Sequence, residues 1–414
     1  MIRAYPLAAT VRSGEFLTLC VSGSVTSFTT SFMRCGSRCE RAVLHDAEKF
    51  RLFNAACGAS DTPWHWPAYP FEVPPDWRPG AYAVALFESA SHAWLPDARS
   101  HRALFVLRPS KPRAALLIVL PLFTYHAYNV AHVDGTQRKD EGDCLYSGAQ
   151  WVTLQRPGGG TGGHPWDEVN VDSYDRATPR QTFAHWDLKA LAWLEEHGYD
   201  YDLCTDLELH DGSIPLEAYR MVASFGHHEY WTPQMRERIE RYISGGGNVA
   251  FFGGNTMWFR AEFDVTRAAV RRDGKWNDEW KTTGVTYACG GGRWIGERPR
   301  CAFRVTDASH QFLQGLALRN GDSFGENVGL IGYECDGAPD SSDLTVLAEA
   351  SLESWPLLDE RGERAPHGHA TLGVRHHGRG AVFTASTVDW ARAMQSDAIV
   401  SGITRNVLHA FGAD

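Results

Sequence analysis

Two histidines and a glutamate stand directly after an apolar run, at the point where a buried strand would end. Residues 220–225 have the length and composition of such a strand, and His227, His228 and Glu229 follow almost at once. Buried imidazoles and a carboxylate cost free energy unless they pair or bind a metal ion. No Ser or Cys occupies the turn, which disfavours a nucleophile elbow. Three roles stay open for this segment. They are catalysis by a carboxylate, catalysis by a bound metal, and a structural role in which Glu229 accepts hydrogen bonds from backbone N–H groups.

Polar and aromatic side chains follow two other predicted buried strands. Residues 121–129 come after an apolar run at 114–120, and residues 253–256 come after another at 248–252. Because ligands bind at the carboxyl ends of strands in open α/β sheets, we expect the three loops to converge on one site. Such loops are where the catalytic residues of this chain should be sought.

Tyrosines near the first of these loops are candidate metal ligands. A neutral phenol with a pKa near 10 binds metal poorly, but it ionises on a hard trivalent cation. Tyrosine ligation of iron has a precedent in haem proteins. Considered alone, residues such as Tyr128 and Tyr146 are more often core aromatics with hydrogen-bonded hydroxyls than metal ligands.

The order of elements predicts two domains. Residues 1–110 alternate short apolar runs with turns, which is typical of a β-sandwich. Prolines and basic residues at 108–113 mark the boundary. Residues 111–414 alternate strands with helices, and this pattern predicts a doubly wound, mostly parallel α/β sheet. A polar insertion is predicted at about 256–300, with a loop at residues 289–294.

Three helices are predicted within this second domain. They span residues 183–197, residues 233–244 and residues 399–411. Thr232 is the predicted N-cap of the second helix, with Pro233 at its first position.

Charge and composition limit the partners of the chain. It has 414 residues, 40 of them basic and 50 acidic, for a formal net charge of −10. Without a basic run there is no electrostatic reason to expect nucleic acid or an anionic membrane, and a neutral small molecule fits better. No apolar run approaches the length of a membrane span and the first residues lack a signal sequence, so a cytoplasmic protein is expected. The 15 tryptophans leave a homo-oligomer possible.

Several short segments, in this order, resemble the large (beta) subunit of N,N-dimethylformamidase and its family. They cover most of the chain: residues 64–67, 71–82, 124–129, 145–146, 205–210, 226–231, 253–255 and 332–336. The resemblance implies a glutamine-amidotransferase-like second domain. It also implies a mononuclear iron, Fe(III), held by two tyrosinates and one glutamate, with a histidine two residues before that glutamate.

Carried over by motif, the implied iron ligands are Tyr128, Tyr146 and Glu229, and the implied histidine is His227. Tyr125 is a competing choice for the first tyrosine. This sequence also departs from the family. His228 stands where the family has proline, which would place an extra titratable group beside the metal.

Two further departures concern the loops around the implied iron. Thr256 replaces the last glycine of a Gly-Gly-Asn-Gly segment. A more C-terminal catalytic glutamate of the family has no match in sequence, since Arg375 lies near where it is sought.

The resulting hypothesis is an iron-dependent amidohydrolase that cleaves the C–N bond of a small amide or formamide with a metal-activated water. His227 would deprotonate the water and later protonate the leaving amine, with His228 tuning it. Asn255, or a backbone N–H of residues 253–254, would stabilise the oxyanion.

Two alternatives stay open because a fold does not fix a reaction. One is a non-hydrolytic iron enzyme, an oxidoreductase or lyase, which dependence on dioxygen would distinguish. The other is a non-catalytic ligand-binding protein.

Overall fold

The computed structural model describes residues 2–37, 40–45, 51–87, 101–131, 143–158, 164–165, 174–178, 180–292, 301–352 and 368–413. The strands are β1 (Ile2–Pro6), β2 (Thr10–Arg12), β3 (Phe16–Gly23), β4 (Thr29–Cys35), β5 (Glu40–His45), β6 (Ala68–Glu72), β7 (Gly80–Phe87), β8 (His101–Arg108), β9 (Leu116–Leu120), β10 (Asn129–Val130), β11 (Val152–Thr153), β12 (His164–Pro165), β13 (Tyr201–Thr205), β14 (Met221–Ser224), β15 (Tyr230–Trp231), β16 (Asn248–Phe251), β17 (Phe259–Asp264), β18 (Ala269–Lys275), β19 (Thr286–Gly292), β20 (Phe303–Val305), β21 (Ser323–Phe324), β22 (Glu334–Gly337), β23 (Thr345–Ser351), β24 (His369–His377) and β25 (Gly380–Thr384).

The helices are α1 (Leu122–Ala127), α2 (Asp187–Glu196), α3 (Asp206–Asp211), α4 (Pro233–Ser244), α5 (Trp280–Thr283), α6 (Trp390–Ala393) and α7 (Ala398–Ala410). Short 3-10 turns lie at Leu216–Ala218, Gln311–Leu313 and Glu326–Val328. In the part of the chain that the structure describes, none of these helices is long and apolar enough to cross a membrane.

The first eight strands form two sheets. One has the order β1-β3-β6, and the other has the order β2-β8-β7-β4-β5. The two sheets share a single apolar core, to which Leu19 and Phe71 contribute from the first sheet and Phe32 and Phe105 from the second. The alternating apolar positions of these strands account for this arrangement, because successive side chains of a strand point to opposite faces.

The opposite face of the five-stranded sheet packs against the rest of the chain. Small residues such as Ala81 and Ala83 on β7 belong to the same apolar cluster as Trp186 and Trp193. The N-terminal strands are therefore fastened to the second half of the chain by a continuous core. The predicted domain boundary near residue 110 stays a prediction.

A buried ion pair reinforces this contact between β4 and α2. Arg34 Nη2 lies 2.6 Å from Glu195 Oε1, and both side chains are less than a tenth exposed. Glu195 also accepts hydrogen bonds from the Ser37 backbone N–H at 3.0 Å and the Tyr201 hydroxyl at 2.9 Å. The Glu195 carboxylate on α2 thus contacts β4, the residues after β4, and β13.

We expect Glu195→Ala to lower the free energy of unfolding by about 3 kcal/mol or more, because it leaves the Arg34 charge buried without its partner. Urea unfolding followed by circular dichroism measures this loss. Glu196→Ala, at an exposed position on the same helix, is the matched control and should change stability by less than about 0.5 kcal/mol. Equal stabilities for the two variants would contradict the role given to the ion pair.

A nine-stranded sheet with the order β13-β9-β14-β16-β25-β24-β23-β20-β21 forms the centre of the molecule. The pairs from β13 to β25 are parallel, and the pairs from β25 to β21 are antiparallel. A second mixed sheet, β11-β18-β17-β15, covers one end of it, and β19 pairs with β22.

The predicted doubly wound, mostly parallel α/β fold, implied to be glutamine-amidotransferase-like, is wrong. Strands account for 36% of the described residues and helices for 19%, and the large sheets are mixed. Apolar runs identify buried strands but carry no information about the direction of the neighbouring strand, so the antiparallel half was missed.

Within the predicted insertion at 256–300, the loop expected at 289–294 is wrong over its described part. Residues 259–264 and 269–275 form the hairpin of β17 and β18, and residues 286–292 form β19. Charged pairs such as Arg271 with Glu262 occupy the exposed face of the hairpin and account for the polar character of this segment in the sequence. Residues 293–300 lie outside the described residues.

Local signals located the long helices more accurately. Helix α4 spans the predicted residues, with Pro233 at its first position and the Thr232 hydroxyl accepting from the Met235 N–H at 3.3 Å. Helix α7 begins one residue earlier than predicted, because Asp397 caps it. Helix α2 begins four residues later than predicted, since the residues before Asp187 form turns.

Candidate active site

Three adjacent parallel strands of the central sheet, β9, β14 and β16, end beside one another. Their following turns are in direct backbone contact. A Cβ atom built on Gly253 would lie 2.6 Å from the carbonyl oxygen of Gly226, and one on Gly254 would lie 2.7 Å from that of Glu334. Such distances exclude any side chain, so glycine at these positions allows the turns to meet.

Side-chain hydrogen bonds fix the turn after β14 against α1. The hydroxyl of Thr124 accepts from the backbone N–H groups of Glu229 at 3.1 Å and Tyr230 at 3.3 Å. The Glu229 carbonyl in turn accepts from the Phe259 N–H at 3.0 Å. The backbone of Glu229 is therefore held from both sides.

The carboxylate of Glu229 is the centre of a buried cluster. Its Oε2 atom accepts hydrogen bonds from the hydroxyls of Tyr128 at 2.9 Å and Tyr146 at 2.7 Å. Its Oε1 atom accepts from the Asn255 side-chain amide at 3.0 Å. The two phenol rings are stacked, with centroids 4.1 Å apart. Three oxygen atoms from three separate segments thus converge on one point.

The imidazole of His227 lies beside this point. Its Nε2 atom is 3.9 Å from Glu229 Oε2 and 2.9 Å from Glu334 Oε2, and the side chain is fully buried. Its ring packs against Tyr128 and, edge on, against Trp186. The structure therefore brings together five of the six candidate catalytic and metal-binding residues, and the exception is His228. The five are Tyr128, Tyr146, His227, Glu229 and Asn255.

Glu334, at the start of β22, is a site residue that sequence reasoning missed. Besides its contact with His227, its Oε1 atom accepts from Asn255 Nδ2 at 3.2 Å. It lies within the segment 332–336 that carries part of the family resemblance, and this was the available signal. Arg375, near which a catalytic glutamate was sought, instead donates to the backbone carbonyl of Trp280 and pairs with Asp343.

The model of a protein family described as N,N-dimethylformamidase beta subunit-like, C-terminal, matches residues 45–404. The chain belongs to this family. The resemblance that the sequence motifs indicated is thus confirmed.

Two curated relatives carry the name N,N-dimethylformamidase beta subunit. The protein from Paracoccus aminophilus is 24% identical, with 77% of this chain and 51% of that protein covered. The protein from Alcaligenes sp is 23% identical, with 55% of this chain and 37% of that protein covered. The chain spans about half the length, or less, of these dimethylformamidase subunits.

Solved structures give only a slight likeness. The mmIFT52 N-terminal domain has a TM-score of 0.32 and 11% identity, with 53% of this chain and 87% of that one covered. A thua-like protein from Parabacteroides merdae has a TM-score of 0.30 and 13% identity, with coverages of 54% and 82%. At such scores the likeness supports no argument about fold or function.

His228, which departs from the pattern of the dimethylformamidase family, points away from the Glu229 cluster. Its Nδ1 atom lies 2.9 Å from the Ser224 hydroxyl and its Nε2 atom lies 2.7 Å from Asp206 Oδ1. Asp206 Oδ2 accepts from the Phe123 N–H at 2.6 Å. These contacts tie the turn to the start of α1, so the geometry favours a structural role over the predicted tuning of His227.

Tyr125, the competing candidate for the first tyrosine of the family motif, is also directed elsewhere. Its hydroxyl donates to the Asp187 carboxylate, whereas Tyr128 reaches Glu229. Burial raises the pKa of Asp187 to about 7, although the Tyr125 hydrogen bond opposes this rise. Of the two tyrosines, only Tyr128 contacts the carboxylate of Glu229.

Asn255 occupies a backbone conformation that the turn after β16 requires. Its φ is +50°, in the left-handed region that asparagine tolerates better than most residues. The carboxylate of Asp336 accepts from the N–H groups of Asn255 at 3.0 Å and Thr256 at 3.2 Å. Burial nevertheless raises the pKa of Asp336 to about 8. Both amide hydrogens of Asn255 already serve Glu229 and Glu334, which favours a positioning role over oxyanion stabilisation.

The electrostatics of the cluster are dominated by burial. Burial raises the pKa of Glu229, and the nearby Glu334 raises it further, whereas His227 lowers it. Burial likewise raises the pKa values of the Tyr128 and Tyr146 phenols well above 10 and lowers the pKa of His227. Without a bound cation, the two phenols therefore stay protonated, and their hydroxyls donate hydrogen bonds to the Glu229 carboxylate.

Metal ligation at this cluster would depend on the phenols. Among the described residues, no group of three or more His, Cys, Asp or Glu side chains has the arrangement of a metal site. Tyr128, Tyr146 and Glu229 nevertheless offer three oxygens around one point, and each becomes anionic once its proton is displaced. This donor set suits a hard trivalent cation.

Proposed function

We propose that this chain is an iron-dependent amide hydrolase with Tyr128, Tyr146 and Glu229 as its iron ligands. The observation that carries the proposal is the convergence of both phenol oxygens on Glu229 Oε2, at 2.9 and 2.7 Å, inside a buried site. Membership of the dimethylformamidase beta subunit-like family supports amide hydrolysis, and we therefore propose a small amide or formamide as substrate.

The donor set fits ferric iron better than softer or more weakly charged ions. Phenolate and carboxylate are hard oxygen ligands, and three of them would match the charge of Fe(III). Iron held there would supply Lewis acidity to a water molecule and to the substrate carbonyl. Stacking of the two phenol rings holds both oxygens on the same side of the cluster.

His227 and Glu334 are the proposed acid–base unit. Their close contact at 2.9 Å lets the Glu334 carboxylate stabilise the protonated imidazole of His227. The pair would take a proton from water as its oxygen bonds to the carbonyl carbon. It would then return the proton to the amide nitrogen as the C–N bond breaks. The products are a carboxylic acid and an amine, which at neutral pH are present as a carboxylate and an ammonium ion.

Asn255 and the surrounding aromatic residues position this unit. By donating to Glu229 and Glu334, the Asn255 amide keeps the two carboxylates at a fixed separation. The ring of Trp186 packs against the His227 imidazole and excludes water from that side. A buried, preorganised arrangement of this kind lowers the reorganisation that the reaction requires.

The test uses the purified full chain reconstituted with iron and incubated with N,N-dimethylformamide. We expect about one iron per chain, a visible tyrosinate-to-iron absorption band, and formation of formate and dimethylamine in equal amounts. The rate should be the same without dioxygen, which separates hydrolysis from redox chemistry. A colourless chain that retains no iron would overturn the proposed site. A chain with iron that leaves all small amides intact would overturn the proposed reaction.

A further inference from the structure

We infer that Arg272 is a positioning residue whose guanidinium balances the negative charge of Tyr146 when that tyrosine is an iron ligand. The inference rests on the proposed function and adds a residue that none of the sequence motifs contains. Arg272 lies on β18, in a hairpin within the predicted polar insertion.

The guanidinium of Arg272 sits in a cage of three aromatic rings. Its central carbon is 3.6 Å from the ring centroid of Phe259, 4.9 Å from that of Tyr146 and 5.6 Å from that of Tyr230. Its Nη2 atom donates to the Tyr230 hydroxyl at 2.6 Å. Flat stacking together with a directed hydrogen bond is a geometry that arginine provides and lysine does not.

The guanidinium of Arg272 makes no direct ion pair with a carboxylate of the described residues. No Asp or Glu oxygen of the described residues lies within the 4.0 Å of an ion pair with its guanidinium, whereas its neighbour Arg271 pairs with Glu262. A largely buried cation without a counter-charge costs free energy. The nearest group that can acquire a negative charge by binding a cation is the phenol of Tyr146, whose hydroxyl already contacts Glu229.

This placement has a consequence for the proposed iron site. Two tyrosinates and a glutamate bring three negative charges into a buried volume, and Glu334 adds a fourth nearby. The charge of Fe(III) would balance three of these negative charges. The guanidinium of Arg272, which lies against the Tyr146 ring, would balance the fourth. Residues that contact metal ligands in this way typically change metal affinity by about 10–100-fold when they are lost.

The experiment compares iron retention and the optical band in Arg272→Met and in the wild type. For Arg272→Met we expect iron loss to a competing chelator to be about tenfold greater. We also expect the band to move to longer wavelength, because removing a nearby cation raises the energy of the phenolate electrons. Arg272→Lys should recover part of both effects. Arg271→Met, one residue away on the exposed face and paired with Glu262, is the matched control and should behave as the wild type.

Arg272→Gln is the second variant if the methionine variant does not fold, since it keeps a donor for the Tyr230 hydroxyl. A folded, uncharged variant with wild-type iron retention and an unshifted band would overturn the inference while leaving the proposed function intact. A wild-type chain without iron or colour would instead overturn the proposed function. A red-shifted band in the uncharged variants, with partial recovery in Arg272→Lys, supports the role of Arg272.

Discussion

Glu229→Gln will reduce bound iron to less than about a tenth of the wild-type content and will lower amide hydrolysis by about 100-fold. The substitution removes the negative charge shared by both phenols. It also places an amide group where Oε1 and Oε2 now accept hydrogen bonds. The new N–H donors must face either Asn255 or the tyrosine hydroxyls, so at least one of the present hydrogen bonds is lost or reversed in direction. Metal analysis of the purified variant after reconstitution measures the loss directly.

The control for this variant is Glu262→Gln, at a position on β17 whose side chain is 48% exposed and remote from the cluster. It should bind as much iron as the wild type. Full iron content with an unchanged absorption band in Glu229→Gln would remove Glu229 from the ligand set. An unfolded variant is recognised by its circular dichroism spectrum, and in that case Tyr146→Phe tests the same ligand set from another segment.

His227→Gln will lower kcat by about 100-fold to 10,000-fold while retaining iron and its colour. The reason for the split is that His227 contacts Glu334 at 2.9 Å, yet stays 3.9 Å from the carboxylate oxygen that both phenols share. Loss of its imidazole therefore removes the acid–base group and leaves the three oxygens in place. Steady-state kinetics combined with metal analysis of the same preparation separates the two effects.

Glu334→Gln tests whether His227 and Glu334 act as a unit. If Glu334 acts by stabilising the protonated imidazole, the double variant should lose little more activity than the worse single variant, because groups that act together give non-additive losses. His376→Gln, at an exposed position on β24, is the control for a histidine replacement. Loss of iron in His227→Gln, or losses that simply multiply in the double variant, would contradict this assignment.

The position of the site could be predicted, but not its full composition. Apolar runs located β9, β14 and β16, and the polar residues after them pointed to the strand ends where Tyr128, Glu229 and Asn255 meet. Glu334 could not be found in this way. The apolar residues just before it, at 330–333, are buried but form no strand. Glu334 itself lies on β22, which pairs with β19, a long-range contact that leaves no periodic signal in the sequence.

Adjacent residues also have opposite roles that spacing does not reveal. His227 and His228 are neighbours, yet one contacts Glu334 and the other contacts Asp206 on the far side of the turn. Successive side chains of an extended segment point in opposite directions, and the sequence does not indicate which one faces the cavity. The same lack of directional information explains why the antiparallel half of the central sheet was not predicted.

The backbone contact between Gly253 and Gly226 separates what can vary in this chain from what cannot. The two turns touch without intervening side chains, and this contact sets the spacing between Asn255 and Glu229 together with the hydrogen bond that joins them. Side chains that line the approach to the cluster can then be exchanged without changing that spacing. Such a scaffold can acquire a new substrate by substitution of the side chains that line the approach, while the spacing between Asn255 and Glu229 stays the same. Gly253→Ala would have the opposite effect. It would leave the side chains that line the approach unchanged and would push the two turns, and with them Asn255 and Glu229, apart.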